Sequence, residues 1–298
     1  MKRRVLGFLL VFVVFLLLQP VHPPGAASGD GKSFLWEARS KTATVYLLGS
    51  LHLMRKESYP LPEKIEKAFE RSEVLAVEAN INDPGRIDVM TLVERVLYPE
   101  GEGLENHVSK ETYEAVTKEA AALGLPPQLL DRQRPWFIAL TLTALKLAVL
   151  GFDPSYGTDM HFLTKAQGKK KIVELESVDA QIALLSGFSD SEQELFLIRT
   201  LNDLKSIEKD TDALMRAWNS GDMKGIERLV AKDGAEGKKT ASLNEKLLYA
   251  RNREMTTRIE NLLRAKETAF VIVGAGHLVG EKGIIALLRQ KGYSIEQR

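Results

Sequence analysis

The sequence predicts an α/β fold in which two related strand-loop-helix-strand halves form a central sheet region around one cleft, with a large helical insertion. Three observations point to it. "YLLGSLHLM", residues 46–54, and "FVIVGAGHLV", residues 270–279, are apolar β-like runs that both end in Gly-x-x-His. Each is followed by a stretch with apolar residues at helical spacing and then by a short run ending in glutamate, "VLAVEAN" and "GYSIEQR". The chain between these two units carries mostly helical periodicity.

Taken in order, residues 1–28 read as an export signal. Lys2, Arg3 and Arg4 precede an uncharged apolar stretch, residues 5–18, then a Pro-containing break and the small residues Gly25, Ala26, Ala27 and Ser28. The apolar stretch is short for a membrane span, which needs about 20 residues. The expected location is therefore periplasmic or extracellular, with tethering through residues 5–18 as the alternative. A single α/β domain is expected over residues 34–298, with helical insertions at about 84–150 and 189–266.

Residues 44–48 are β-branched and apolar, and Pro62 stands where a helix starts. Residues 63–71 place Ile65, Ala68 and Phe69 on one helical face, and residues 74–77 form the next strand. If the two strands are parallel, their carboxyl ends share one edge of the sheet. His52 and Glu78 then meet from distant positions, at the edge where open α/β sheets hold ligands.

Residues 108–123 and 134–150 follow as long helix patterns. Gly157 opens a shorter helix through residue 167 that carries Asp159, and "KIVELES" reads as a strand ending at Glu176. Of the two glutamates in this run, Glu174 and Glu176, Glu176 is favoured as the one facing the cleft. Ser189-x-x-Glu192 is a capping box for a helix to about residue 207. Residues 211–231 read as a helix pair broken at Gly221, and residues 232–239 as a polar loop. Residues 243–266 read as one amphipathic helix with Arg251. The closing unit is a strand at 269–273, the Gly274–His277 loop, a helix at 282–290 and a strand at 293–295, which sets Glu296 opposite Glu78.

Composition excludes several functions. The 298 residues hold no cysteine, so no thiolate serves as ligand or nucleophile. Removing residues 1–28 takes three basic side chains from 41 and none of the 40 acidic ones, leaving a formal charge of −2. That is no nucleic-acid footprint.

Any metal must therefore sit on His, Asp and Glu. His52, His277 and Glu78 form a set suited to a divalent transition metal, Mn, Co, Zn or Fe rather than Ca, with a coordination position left for water. Gly49, Gly274 and Gly276 are expected to turn the two loops sharply and to let a ligand approach, because glycine accepts positive φ. Glu176 or Asp159 would orient a ligand or take a proton. Asp159 has a second reading as a helix cap. His161 and His107 are expected outside the site, and Trp136 and Trp218 in packing.

The two Gly-x-x-His runs stand in order with "LAVEAN", "RPW", "GTDMHFLTKAQGKK", "ELESVDAQ" and "ARNREM" between them. This ordered set resembles the TraB/PrgY/GumN family, which includes the animal Tiki proteins, over about residues 34–298. The resemblance implies an erythromycin-esterase and ChaN-like fold with two related halves around one cleft. It also implies metal-dependent proteolysis supported by Mn or Co, without a His-Glu-x-x-His helix. It carries the motif positions onto Gly49, His52, Gly274, His277 and Glu78. Arg251 is its candidate arginine, to which stabilisation of an oxyanion is assigned. The leading expectation is an exported metal-dependent hydrolase acting on a peptide or polypeptide. The alternatives are a non-catalytic metal- or haem-binding protein and a peptide-sequestering module.

Overall fold

The computed structural model describes residues 31–82, 88–231 and 238–298. The expected export signal lies outside the described residues, as does most of the expected polar loop at 232–239. Among the described residues no helix is long and apolar enough to cross a membrane.

The strands are β1 (Leu35–Arg39), β2 (Thr44–Ser50), β3 (Val74–Val77), β4 (Lys171–Glu174), β5 (Ala269–Gly274) and β6 (Ser294–Gln297). They form one six-stranded sheet in the order β4-β3-β5-β2-β1-β6. β4, β3, β5 and β2 run parallel, and β1 is antiparallel to both β2 and β6. The parallel strands supply continuous apolar runs because helices cover both faces of such a sheet. Val74, Leu75, Ala76 and Val77 are buried, as are Phe270, Val271, Ile272 and Val273.

The expected α/β class is present, and the two His-bearing units interleave rather than stand as separate lobes. β5 inserts between β2 and β3, so the two His-bearing strands are hydrogen-bonded neighbours with Gly49 opposite Val273 and Ser50 opposite Gly274. One expectation is corrected. Glu296 is not opposite Glu78, because β6 pairs with β1 at the far edge and sets Glu296 against Glu37. The unforeseen strand β1 occupies the intervening place.

The helices are α1 (Glu63–Glu70), α2 (Val89–Val96), α3 (Lys110–Ala122), α4 (Pro135–Val149), α5 (Thr158–Ala166), α6 (Val178–Ser186), α7 (Asp190–Asp203), α8 (Ile207–Asn219), α9 (Met223–Val230), α10 (Lys238–Asn244), α11 (Ala250–Arg264), α12 (Ala275–Leu278) and α13 (Ile284–Gln290). Phe69 of α1 and Phe162 of α5 close on Phe270 of β5 with ring centroids 5.7 and 5.0 Å away. α3, α4 and α7 build a second core around Val116, Ile138, Leu142 and Leu197, the helical insertion that the periodicity foretells.

Helix ends follow the expected signals closely. Pro135 is the first residue of α4, and Ser189 and Glu192 form the expected capping box. Gly221, with φ +66, separates α8 from α9. The long helix expected over 243–266 is interrupted by a π-helical turn, Glu245–Tyr249. Such turns cluster at functional sites, and this one immediately precedes Arg251 and Asn252.

Candidate active site

The chain beyond β2 is pinned before it reaches His52. Leu51 N–H donates to Thr158 Oγ1 at 3.2 Å, and Thr158 N–H returns a bond to the Leu51 carbonyl at 3.1 Å. The first turn of α5 thus docks on the His52 loop. A Cβ on Gly157 would lie 2.8 Å from the His52 carbonyl carbon, so only glycine permits this approach. One residue after Thr158, Asp159 meets His52 Nδ1 with Oδ2 at 3.0 Å. Asp159 is buried, whereas 59% of the His52 side chain is exposed. The Asp159 carboxylate draws the His52 pKa up to about 9 against the cost of burial, with Glu78 adding to the effect. Solvent at the exposed edge of the ring screens part of that pull.

His277 lies on α12, one turn beyond the end of β5, and is buried. Its Nδ1 lies 2.6 Å from Asn252 Oδ1. Burial pushes the imidazole down to about 4, with Glu78 opposing and Arg251 reinforcing the shift. It is therefore neutral near pH 7. With Nδ1–H donated to Asn252, the lone pair belongs to Nε2. That nitrogen stands 3.7 Å from Glu78 Oε1.

Glu78 follows β3 directly and is buried. Gly274 N–H donates to its Oε1, and Arg251 Nη2 lies 3.0 Å from its Oε2. Burial alone would raise its pKa, but His277, His52, Arg251 and the Gly274 N–H together hold it below the usual carboxylate range. Arg251 also grips Glu176 with two bonds, Nε to Oε1 at 2.9 Å and Nη2 to Oε2 at 2.7 Å. Its Nη1 donates to the Leu247 carbonyl at 3.0 Å, across the π-helical turn. Gln181 Nε2 completes the group, 3.1 Å from Glu176 Oε2 and 3.4 Å from Glu78 Oε2.

The site residues from both ends of the chain converge over Gly274. A Cβ built on that glycine would lie 3.2 Å from Glu78 Oε1, 3.4 Å from His277 Cδ2 and 3.6 Å from His52 Nε2. Among the described residues no group of three or more His, Cys, Asp or Glu side chains is arranged to hold a metal ion. Around that point, Glu78 and Glu176 pair with the single guanidinium of Arg251, and Asp159 pairs with His52. With His277 neutral and His52 protonated near pH 7, the cluster is one charge short of neutrality, a field that attracts a cation able to displace the His52 proton.

The glycines act differently from expectation. Gly49 is a strand residue, Gly276 lies inside α12, and Gly274 has φ −48, so none of them is among the positive-φ glycines. Their requirement is for space. A Cβ on Gly49 would enter the Phe34 ring and stand 3.2 Å from the Ala275 Cα.

Other residues fall where the sequence places them or nearby. Glu174 accepts the Asn80 N–H at 2.8 Å. His161 pairs with Glu66 at 2.8 Å, and His107 lies between Glu102 and Asp190. Trp136 and Trp218 are buried, the latter donating to the Gly49 carbonyl at 2.6 Å. Gln181 escapes sequence reasoning, since nothing in its own neighbours marks a glutamine on an apolar helix. Asn252 is visible only as the residue beside Arg251.

The family model described as the TraB/PrgY/gumN family matches residues 34–297. The uncharacterized protein YbaP of Escherichia coli (strain K12) is 26% identical over 264 residues, covering 87% of this chain and 94% of its own length. Metalloprotease TIKI1 of Danio rerio is 24% identical over 349 residues, covering 97% of this chain and 69% of its own length. An uncharacterized protein of Treponema pallidum (strain Nichols) is 25% identical over 269 residues, covering 86% and 80%. No solved structure gives a significant match.

Proposed function

Because this chain belongs to the TraB/PrgY/gumN family, we propose that it is an exported metal-dependent hydrolase acting on a peptide or polypeptide, with His52, His277 and Glu78 holding a divalent Mn, Co or Zn ion. The observation that carries this reading is the convergence of those three side chains within 4 Å of one point over Gly274. The relatives named metalloprotease support the peptide substrate.

The donor set fits such a cation. Both histidines have Nδ1 committed, to Asp159 and to Asn252, which leaves Nε2 as the nitrogen that would face a cation, free on His277 and on His52 once its proton is displaced. The surrounding carboxylates supply the uncompensated negative charge. A bound cation would lower the pKa of a coordinated water and polarise a carbonyl.

The chain's own residues divide the remaining work. Asp159 orients His52 and Asn252 orients His277. Arg251 was expected to stabilise an oxyanion, but its bonds to Glu176, Glu78 and the Leu247 carbonyl engage four of its five N–H groups. We assign it to holding the two glutamates in place, with Gln181 as its partner. His52 is the solvent-facing member of the set, so a polypeptide approaches from its side. Export rests on residues 1–28, with residues 5–18 as a tether if they are retained.

Metal content after purification without chelator, followed by peptide cleavage with added Mn, Co or Zn, tests the proposal. Stoichiometric metal, lost together with cleavage in His52→Ala and in His277→Ala, is the expected result. Metal retained without turnover of any peptide library would point to a metal- or haem-binding protein instead. Peptide affinity indifferent to chelator would point to a sequestering module.

A further inference from the structure

We propose that the hydroxyl of Ser50 is a fourth donor of this site, a neutral oxygen directed at the cation position shared by His52, His277 and Glu78. The inference rests on the cation reading above.

Ser50 is the last residue of β2 and is 2% exposed, and its Oγ has no hydrogen-bond partner among the described residues. A buried hydroxyl without a partner is costly and rare enough to need a reason. The four other side-chain atoms in the same condition, on Tyr98, Gln133, Arg134 and Gln193, lie in the helical part of the chain. Only Ser50 stands at the strand edge that carries the histidines.

Register supplies the direction. Ser50 pairs with Gly274 in the parallel ladder. Paired residues on adjacent strands, about 4.8 Å apart, project their side chains to the same face. The face opened by the missing side chain of Gly274 is the one bordered by Glu78 Oε1, His277 Cδ2 and His52 Nε2. The Ser50 hydroxyl therefore borders the same small space, and Gly274 leaves room beside it.

The hydroxyl that docks on the next residue, Leu51, is already committed. Thr158 Oγ1 accepts the Leu51 N–H at 3.2 Å and faces the Leu51 carbonyl at 3.5 Å. Serine is also an unfavoured residue at a buried strand position, where valine or isoleucine packs better. Its hydroxyl adds a hard oxygen without adding charge, and a set of imidazole, carboxylate and hydroxyl suits Mn or Co.

The test compares wild-type protein with Ser50→Ala and Ser50→Thr. It uses Mn binding by calorimetry, the visible absorption of the Co-loaded protein and the melting temperature of the chelator-treated protein. Ser50→Ala is expected to melt no lower than wild type, because it deletes an unpaired hydroxyl, yet to bind Mn about tenfold more weakly with an altered Co spectrum. Ser50→Thr keeps the hydroxyl and is expected to keep the affinity. Wild-type affinity and spectrum in Ser50→Ala would overturn the proposal, as would equal losses in both variants, which would assign the effect to packing. If wild-type protein binds neither ion, the cation reading itself fails and this proposal falls with it.

Discussion

His277 Nδ1 lies 2.6 Å from Asn252 Oδ1, and the Asn252 amide can face only that way because its nitrogen donates to the Lys282 carbonyl at 2.9 Å. The amide thereby sets the proton on Nδ1 and the lone pair on Nε2, an assignment made from the bonding network. Asn252→Leu should weaken metal binding about 10- to 100-fold, the usual effect of losing a partner that orients a ligand. It should also cost about 1–3 kcal/mol, since His277 Nδ1 is left buried and unpaired. Asn252→Asp keeps the acceptor and should retain most of the affinity. Calorimetric titration with Mn and a denaturant melt of each variant check both numbers.

Gly49 and Gly274 should respond differently to alanine. At Gly49 a Cβ enters the Phe34 ring with backbone on its other side, so Gly49→Ala overpacks the core and should destabilise the protein by about 1–3 kcal/mol. At Gly274 the backbone, with φ −48, accepts an L residue. Its Cβ would instead occupy the point where Glu78, His277 and His52 meet. Gly274→Ala should fold and lose ion binding. A Gly274→Ala protein that binds Mn as wild type does would remove the convergence point from the proposed site.

The two Gly-x-x-His strands, the helix caps at Pro135 and Ser189 and the break at Gly221 were legible because each depends on a few adjacent residues. Bringing His52 and Glu78 to one sheet edge needed only the crossover rule. What was not legible depends on partners distant in sequence. β1 carries Leu35, Trp36 and Glu37 without a clean period, and its place between β2 and β6 decides where Glu296 goes. The task of Asn252 follows from Lys282, that of Gln181 from two glutamates just beyond β3 and β4, and the need for Gly49 from the Phe34 ring. Positive φ was the wrong reason for the glycines because close packing, not backbone reversal, excludes a side chain there.

Arg251 is the only cation in bonding contact with Glu78 and Glu176 among the described residues. Breaking a buried ion pair from one side leaves uncompensated charge and typically costs about 3–5 kcal/mol. Arg251→Met should therefore lower stability by that order, with both glutamates left facing Gln181. A second substitution, Glu176→Gln, should recover part of the loss by removing one of the stranded charges. Denaturant unfolding of the single and double variants measures the recovery, and strictly additive losses would show that the two residues do not act as a pair.

The two histidines should give the chelator-treated protein opposite stability limbs. His277 titrates at about 4 when folded and near 6.5 when unfolded, so between those values the unfolded chain holds more protons. Its contribution is complete above pH 6.5 and is lost as pH falls toward 4, with a slope on the order of 1 kcal/mol per pH unit for one proton. His52 runs the other way. With its folded value raised to about 9, its contribution is present below pH 6.5 and is lost as pH rises through 9. The exposed His52 ring makes that limb the shallower of the two. Melting temperatures from pH 4 to 9 should show His277→Gln flattening the acid limb alone and His52→Gln the alkaline limb alone. An acid limb unchanged in His277→Gln would mean that burial does not hold this imidazole neutral, and the lone pair assigned to Nε2 would lose its basis.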